Sequence, residues 1–156
     1  MNSEQQLAGI LNKLRNYCSR SEKCCQDVLN YISDYELSSD IKIKIVKTLT
    51  DEKFIDHERY VAAFVNDKLK FNKWGKIKIY YNLKQKNIEE KLIKQGLQLI
   101  ADSDYNEILL SILKNKLKTL KDKDKTKIKA GLLRYSYSRG FEYEISDKLI
   151  DSILVK

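Results

Sequence analysis

Lysine is the side chain through which this sequence is best equipped to do chemistry, and the lysines come in two blocks. Lys70, Lys73, Lys76, Lys78, Lys84 and Lys86 surround the stretch from Trp74 to Ile88, which reads as one short helix. Gly75 opens it, Ile79 and Leu83 lie four apart on one face, and Asn87 falls where a left-handed C-cap is expected. The second block, Lys114, Lys116, Lys118, Lys121, Lys123, Lys125, Lys127 and Lys129, is relieved only by Asp122 and Asp124. Lysines at every second or third position cannot share one helical face, so this run is expected to wrap a helix end, a loop and the next helix start. With a net charge of +8 and a pI near 9.2, the chain should be attracted to polyanions such as nucleic acid. Tyr80, Tyr81, Tyr135 and Tyr137 stand among the basic residues, where aromatic faces can stack on unpaired bases, although helical spacing favours packing. Trp74 is expected to pack between units.

Turnover chemistry has no comparable pattern. No phosphate-cradling glycine loop, nucleophile–base arrangement or nuclease-like carboxylate pattern is visible, so no catalytic, cofactor-binding or metal-ligating residue is assigned and the protein is not expected to be an enzyme. His57, the single histidine, lies between Asp56 and Glu58 at a helix start and reads as a capping or surface residue rather than a general base. Asp51, Glu52, Asp56 and Glu58 are accounted for by the positive end of a helix dipole. Cys18, Cys24 and Cys25 have no second pair at metal-ligand spacing and are expected to be reduced, structural thiols.

The elements that must position the lysines are helices. The chain of 156 residues has no proline, five glycines and 42% apolar residues, which argues for an all-α fold and against turn-rich β architecture. No apolar run approaches the roughly 18 residues of a membrane span, and the first residues lack a signal-peptide pattern. A cytoplasmic monomer, with no membrane association, is expected. Leu7, Ile10, Leu11 and Leu14 mark a first helix ending near Ser19. Ser21 is the expected N-cap of a second, carrying Val28, Leu29 and Ile32. Ser38, Ser39 or Asp40 caps a third with Ile41, Ile45, Val46 and Leu49.

That plan recurs. Tyr60, Val61, Phe64, Val65 and Leu69 are matched by Ile108, Leu109, Ile112, Leu113 and Leu117 at a constant offset of 48, with Lys68 and Lys70 falling on Lys116 and Lys118. At an offset of 53, Lys86-Asn87-Ile88 corresponds to Arg139-Gly140-Phe141, and Leu92, Gly96, Leu97 and Ile100 to Ile145, Leu149, Ile150 and Ile153. The sequence therefore predicts three tandem three-helix repeats, helix-turn-helix-like units at residues 1–53, 54–102 and 103–156, in an elongated, curved array.

With the repeat in place, the chain resembles the RecX family of regulatory proteins, modulators of the RecA recombinase. Phe54 to Val65 is similar to that family's acidic-Glu-Arg-aromatic helix start. Gly75-Lys76-Ile77-Lys78-Ile79, Asn82-Leu83 and Lys86-Asn87-Ile88 resemble its Gly-x-x-Arg-Ile, Glu-Leu and Lys-Gly-Ile pieces. Arg20-Ser21-Glu22 and Arg139-Gly140-Phe141 are flanking echoes. The chain departs from the pattern at His57, Val61, Cys24-Cys25 and Asn87. The resemblance implies a protein that binds RecA and its filament on single-stranded DNA, with double-stranded DNA as a secondary partner. It further implies that such binding modulates, and in the main inhibits, ATPase activity, filament extension and strand exchange in recombination, DNA repair and the SOS response. The residues expected to meet RecA or DNA are Arg59, Lys70, Lys73, Lys76, Lys78, Lys84, Lys86, Lys114, Lys118, Lys121, Lys125, Lys127, Lys129, Arg134 and Arg139. The alternative is a generic helical-repeat nucleic-acid-binding protein without a RecA partner.

Overall fold

In a computed structural model, which describes residues 3–121 and 124–155, the chain forms nine helices and no strand among those residues. They are α1 (Ser3–Arg20), α2 (Cys25–Tyr31), α3 (Ser39–Asp51), α4 (His57–Lys70), α5 (Lys76–Gln85), α6 (Glu90–Gln98), α7 (Asp102–Thr119), α8 (Lys125–Ser138) and α9 (Tyr143–Leu154). Asp122 and Lys123, inside the second lysine block, lie outside the described residues. The accessible surface is 10233 Å², against the ~8,100 Å² that a compact monomer of this mass would expose, so the array is elongated.

Local chemistry sets the helix ends. Ser38 Oγ accepts from Ile41 N–H at 3.3 Å and Asp56 Oδ1 from Arg59 N–H at 3.0 Å, filling the orphan donors of α3 and α4. Ser21 does not cap α2. The chain stays irregular to Cys24, whose N–H donates to Asp27 Oδ2 at 3.1 Å, so the N-cap falls three residues later than expected. The caps after α5 and α8 agree with the repeat: Asn87 has φ 60° and Gly140 φ 90°, and the next residue in each case, Ile88 or Phe141, is buried.

Two apolar cores result. Ile10, Leu14, Val28, Ile32, Ile45 and Leu49 make the first, within α1–α3. Ile79, Leu83, Ile93, Leu109, Leu113, Leu132 and Ile150 belong to the second, which runs without interruption through α4–α9. The second and third repeats thus share one core, and at one point they meet backbone on backbone. Gly75 N–H donates to Arg139 O at 2.7 Å and Ile77 N–H to Gly140 O at 3.0 Å. Lys76 N–H donates to Tyr105 Oη at 2.9 Å. The open end of α5 is therefore closed by α7 and by the turn between α8 and α9.

A Cβ at position 75 would overlap the Gly140 carbonyl, whereas a Cβ at Gly9, exposed in α1, would meet nothing within 4 Å. Gly75→Ala should lower stability by about 1–3 kcal/mol. Gly9→Ala should raise it by about 0.5–1 kcal/mol through the lost backbone entropy of glycine. Urea unfolding midpoints of the two variants check both signs.

Candidate polyanion-binding surface

The shared core of α4–α9 presents the second helix of two successive repeats in the same way. Lys76 and Lys78 stand in the first turn of α5, and Lys125 and Lys127 in the first turn of α8; neither first turn contains an acidic residue. Cations at the positive end of a helix dipole are unfavourable unless an anion is present. The two turns are not equivalent. The N–H groups of α5 are consumed by Arg139, Gly140 and Tyr105, while α8 is capped by Asp124, which accepts from Thr126 N–H at 2.9 Å.

The expected contact residues divide by what holds them. Lys70, Lys84, Lys114, Lys118, Lys121, Lys125, Lys127 and Arg134 are exposed and have no ion pair among the described residues. The Nζ of Lys73, itself at φ 57°, donates to Lys70 O at 2.6 Å. The ammonium groups of Lys76 and Lys78 lie over the rings of Tyr105 and Trp74, each 4.8 Å from the centroid.

Four of the expected residues are engaged within the fold. Arg59 Nε pairs with Glu22 at 2.6 Å and its Nη2 donates to Lys53 O at 3.0 Å. Lys86 pairs with Asp27 at 2.6 Å, and Lys129 reaches both Asp147 at 2.8 Å and Asp151 at 2.7 Å. Hydrogen bonds to those two carboxylates hold the Lys129 ammonium well above the ordinary lysine range. Arg139 Nη2 donates to Asn72 O, and its Nε is buried without a partner among the described residues.

Trp74 packs inside the second repeat rather than between repeats. The left-handed turn at Lys73 folds the chain back so that Trp74 N–H donates to Lys68 O at 3.0 Å, and the ring meets Phe64 edge-on at 6.5 Å. Lys68 Nζ then comes 4.9 Å from the indole centroid. Lys68 is not among the expected contact residues because only the turn at Lys73, invisible as spacing, brings it to Trp74. Tyr81 and Tyr137 are exposed, whereas Tyr80 and Tyr135 are partly buried against the core.

His57 ties the first repeat to the second. Its Nε2 accepts from Cys25 N–H, the first donor of α2, at 3.0 Å, an interaction open only to the neutral imidazole. Burial holds His57 below the ordinary histidine range, against the opposing charges of Glu89, Asp56 and Asp27. Asn87 Nδ2 donates to Gln26 Oε1 at 2.7 Å across the same junction. Cys18 and Cys24 are buried, Cys25 is partly so, and burial pushes all three thiols up, away from reactive thiolate. Among the described residues no group of three or more His, Cys, Asp or Glu could hold a metal ion, and no helix is long and apolar enough to cross a membrane.

Comparison with known proteins adds three findings. The model of the second three-helix domain of RecX matches residues 56–97. The regulatory protein RecX of Clostridium botulinum (strain Eklund 17B / Type B) is 33% identical over 128 residues, covering 81% of this chain and 58% of that protein. RecX of Streptococcus agalactiae serotype III (strain NEM316) is 28% identical over 146 residues, 90% of this chain and 54% of that protein. The chain thus spans little more than half the length of the curated relatives it matches. The crystal structure of RecX from Lactobacillus salivarius superposes with a TM-score of 0.86 over 98% of this chain and 99% of that one, at 18% identity, and so shares the fold.

The junction at His57 carries a signed expectation. The imidazole is harder to protonate folded than unfolded, so its contribution is full above the unfolded value of about 6.5 and is lost as pH falls below it toward the lower folded value. The urea midpoint should therefore drop between pH 7.5 and 5.5, values chosen to bracket roughly one unit either side of that pKa. His57→Gln, which supplies an acceptor that does not titrate, should flatten the drop.

Proposed function

The chain belongs to the RecX family, and on that footing we propose that it binds RecA and the RecA filament on single-stranded DNA and restrains ATP hydrolysis, filament extension and strand exchange. It acts by binding, without turnover. The observation that carries this reading is the Lys-x-Lys first turn on two successive second helices, Lys76/Lys78 and Lys125/Lys127, held at a fixed separation by one apolar core. A rigid ruler of repeated basic turns suits a partner that itself repeats helically, since several weak contacts made together give strong binding.

Within that surface the exposed, unpaired residues are the ones available to phosphates or to acidic protein: Lys70, Lys84, Lys114, Lys118, Lys121, Lys125, Lys127 and Arg134. Arg59, Lys86, Lys129 and Arg139 serve it indirectly, by fixing the helices that present the others.

The deciding measurement is DNA-dependent ATP hydrolysis by the cognate RecA with this protein at substoichiometric amounts. Slowed hydrolysis and shortened filaments are expected; unchanged hydrolysis, filament length and strand exchange would overturn the proposal. Charge reversal at Lys84, Lys125 and Lys127 together should weaken filament binding and lower its salt slope by about one for each phosphate no longer neutralised, with helical content unchanged. Equal affinity for naked DNA and for the filament would instead mark a general nucleic-acid binder.

A further inference from the structure

The junction between the first and second repeats holds a cleft that lies outside both lysine blocks. Its volume is about 310 Å³, and it is lined by Tyr17 and Lys23 on one side and by Tyr60, Ala63, Phe64 and Lys68 on the other. Two ammonium groups are fixed on its walls. Lys23 Nζ donates to Ser21 Oγ at 2.7 Å and lies 4.5 Å from the Tyr17 ring centroid. Lys68 Nζ lies 5.4 Å from the Phe64 centroid and 4.9 Å from that of Trp74. Neither has a carboxylate partner among the described residues. The carboxylates that reach the cleft are otherwise occupied in two cases of three: Glu22 by Arg59 and Asp27 by Lys86, each at 2.6 Å. Asp67 has no ion pair among the described residues.

We propose that this cleft receives one unpaired nucleotide of a single strand, its base against Tyr17 and Phe64 and its phosphate against Lys23 and Lys68. The proposal rests on the reading above in taking the polyanion to be nucleic acid, and adds to it a site for an unpaired base. The wall chemistry chooses the occupant. An acidic peptide would satisfy the ammonium groups but would bring further carboxylates toward Asp67 and leave the aromatic wall unused. A nucleotide has one anionic end, N–H donors on its base that a carboxylate such as Asp67 accepts, and an apolar π face. The cleft is at the lower end of the usual size for a small-ligand site, about 300 Å³, so it admits a single base and no base pair. A base in a duplex would first have to be flipped from its stack.

Trp74 is the single tryptophan of the chain and lies against Lys68, so its emission reports on the cleft. The full chain is titrated with oligodeoxycytidylate of roughly ten nucleotides and with an abasic strand of equal length at the same salt. The base-bearing strand should bind about fivefold or more tighter, the lower end of what stacking on aromatic side chains supplies. Ala63→Leu fills the cleft while leaving every charge in place, and should erase that preference without changing the affinity for the abasic strand. Lys23→Ala with Lys68→Ala, two partly exposed positions that cover the case in which Ala63→Leu does not fold, should weaken both strands and reduce the salt slope by about 0.7, the share of one phosphate on a single strand. Equal binding of the two strands by the parent chain, a preference that survives in Ala63→Leu, or displacement by polyglutamate as effective as by the oligonucleotide would each overturn the site. Loss of the base preference alongside a normal effect on RecA hydrolysis would remove this cleft and leave the proposed function standing.

Discussion

The contact on which the rest depends is the approach of the Gly75 backbone to the turn at Arg139-Gly140. Three N–H groups at the start of α5 would be orphaned by an ordinary helix start, and here each has an acceptor in the third repeat: Arg139 O, Tyr105 Oη and Gly140 O. The approach is possible only because position 75 has no Cβ and Gly140 takes a left-handed φ of 90°. Tyr105 strengthens it. Its hydroxyl donates to Glu142 while accepting from Lys76 N–H, and burial together with that carboxylate pushes the phenol far above the ordinary tyrosine range. It therefore stays a neutral donor wherever the protein is folded. The consequence is a second and third repeat that share one core.

The first repeat is attached differently. Its own core lies mainly in α1–α3 and takes in Ile55 just beyond them, and several polar pairs also cross to the second repeat: Glu22–Arg59, Asp27–Lys86, Gln26–Asn87 and Cys25–His57. Cys24 and Tyr60 supply an apolar seam beneath these pairs. Burial raises the Asp27 pKa, but hydrogen bonds from Lys86 and Cys24 outweigh it and hold the carboxyl below its ordinary range. Such a junction responds to pH and salt as an apolar one does not, because its hydrogen bonds need particular protonation states and its ion pairs are screened. It also leaves room: the cleft lined by Tyr17, Lys23, Phe64 and Lys68 opens where the two repeats meet.

Residues whose role is set by near neighbours in the chain could be read from the sequence. Ile79 and Leu83 are buried, Asn87 is left-handed and Ser38 caps, because helical spacing and capping act over three or four residues; Asp51 and Glu52, expected at the positive end of a helix, instead close the C-terminus of α3. The repeat offsets also match the order of the helices. Ser21 misled because a good capping residue is only permission to start a helix; Asp27, three residues after Cys24, offers the competing acceptor. Ser146 does not read as core by residue type, yet it is fully buried at the position equivalent to Ile93, its hydroxyl satisfied by Glu142 O at 2.8 Å. The commitments of Arg59 to Glu22, Lys86 to Asp27, Lys129 to Asp147 and Asp151, and Arg139 to Asn72 are invisible in the sequence, because those partners lie far along the chain and follow no local period.

That last point changes what the charge of the chain means. A lysine in an ion pair at a repeat junction stabilises the fold and is withdrawn from any surface field, so a count of basic residues overstates the field that a partner meets. Lys125 and Lys127 have the opposite balance. They lie at the positive end of α8, where the dipole disfavours each by roughly 0.3–1 kcal/mol and the Asp124 carboxylate at the N-cap offsets part of that cost. A phosphate placed there reverses the sign of that term, since it meets the dipole and both ammonium groups at once. The two repeated turns differ in this respect. At α5, Arg139, Gly140 and Tyr105 already occupy the helix end and the Lys76 and Lys78 ammonium groups rest on aromatic rings, whereas the Lys125 and Lys127 ammonium groups are exposed and have no ion pair among the described residues.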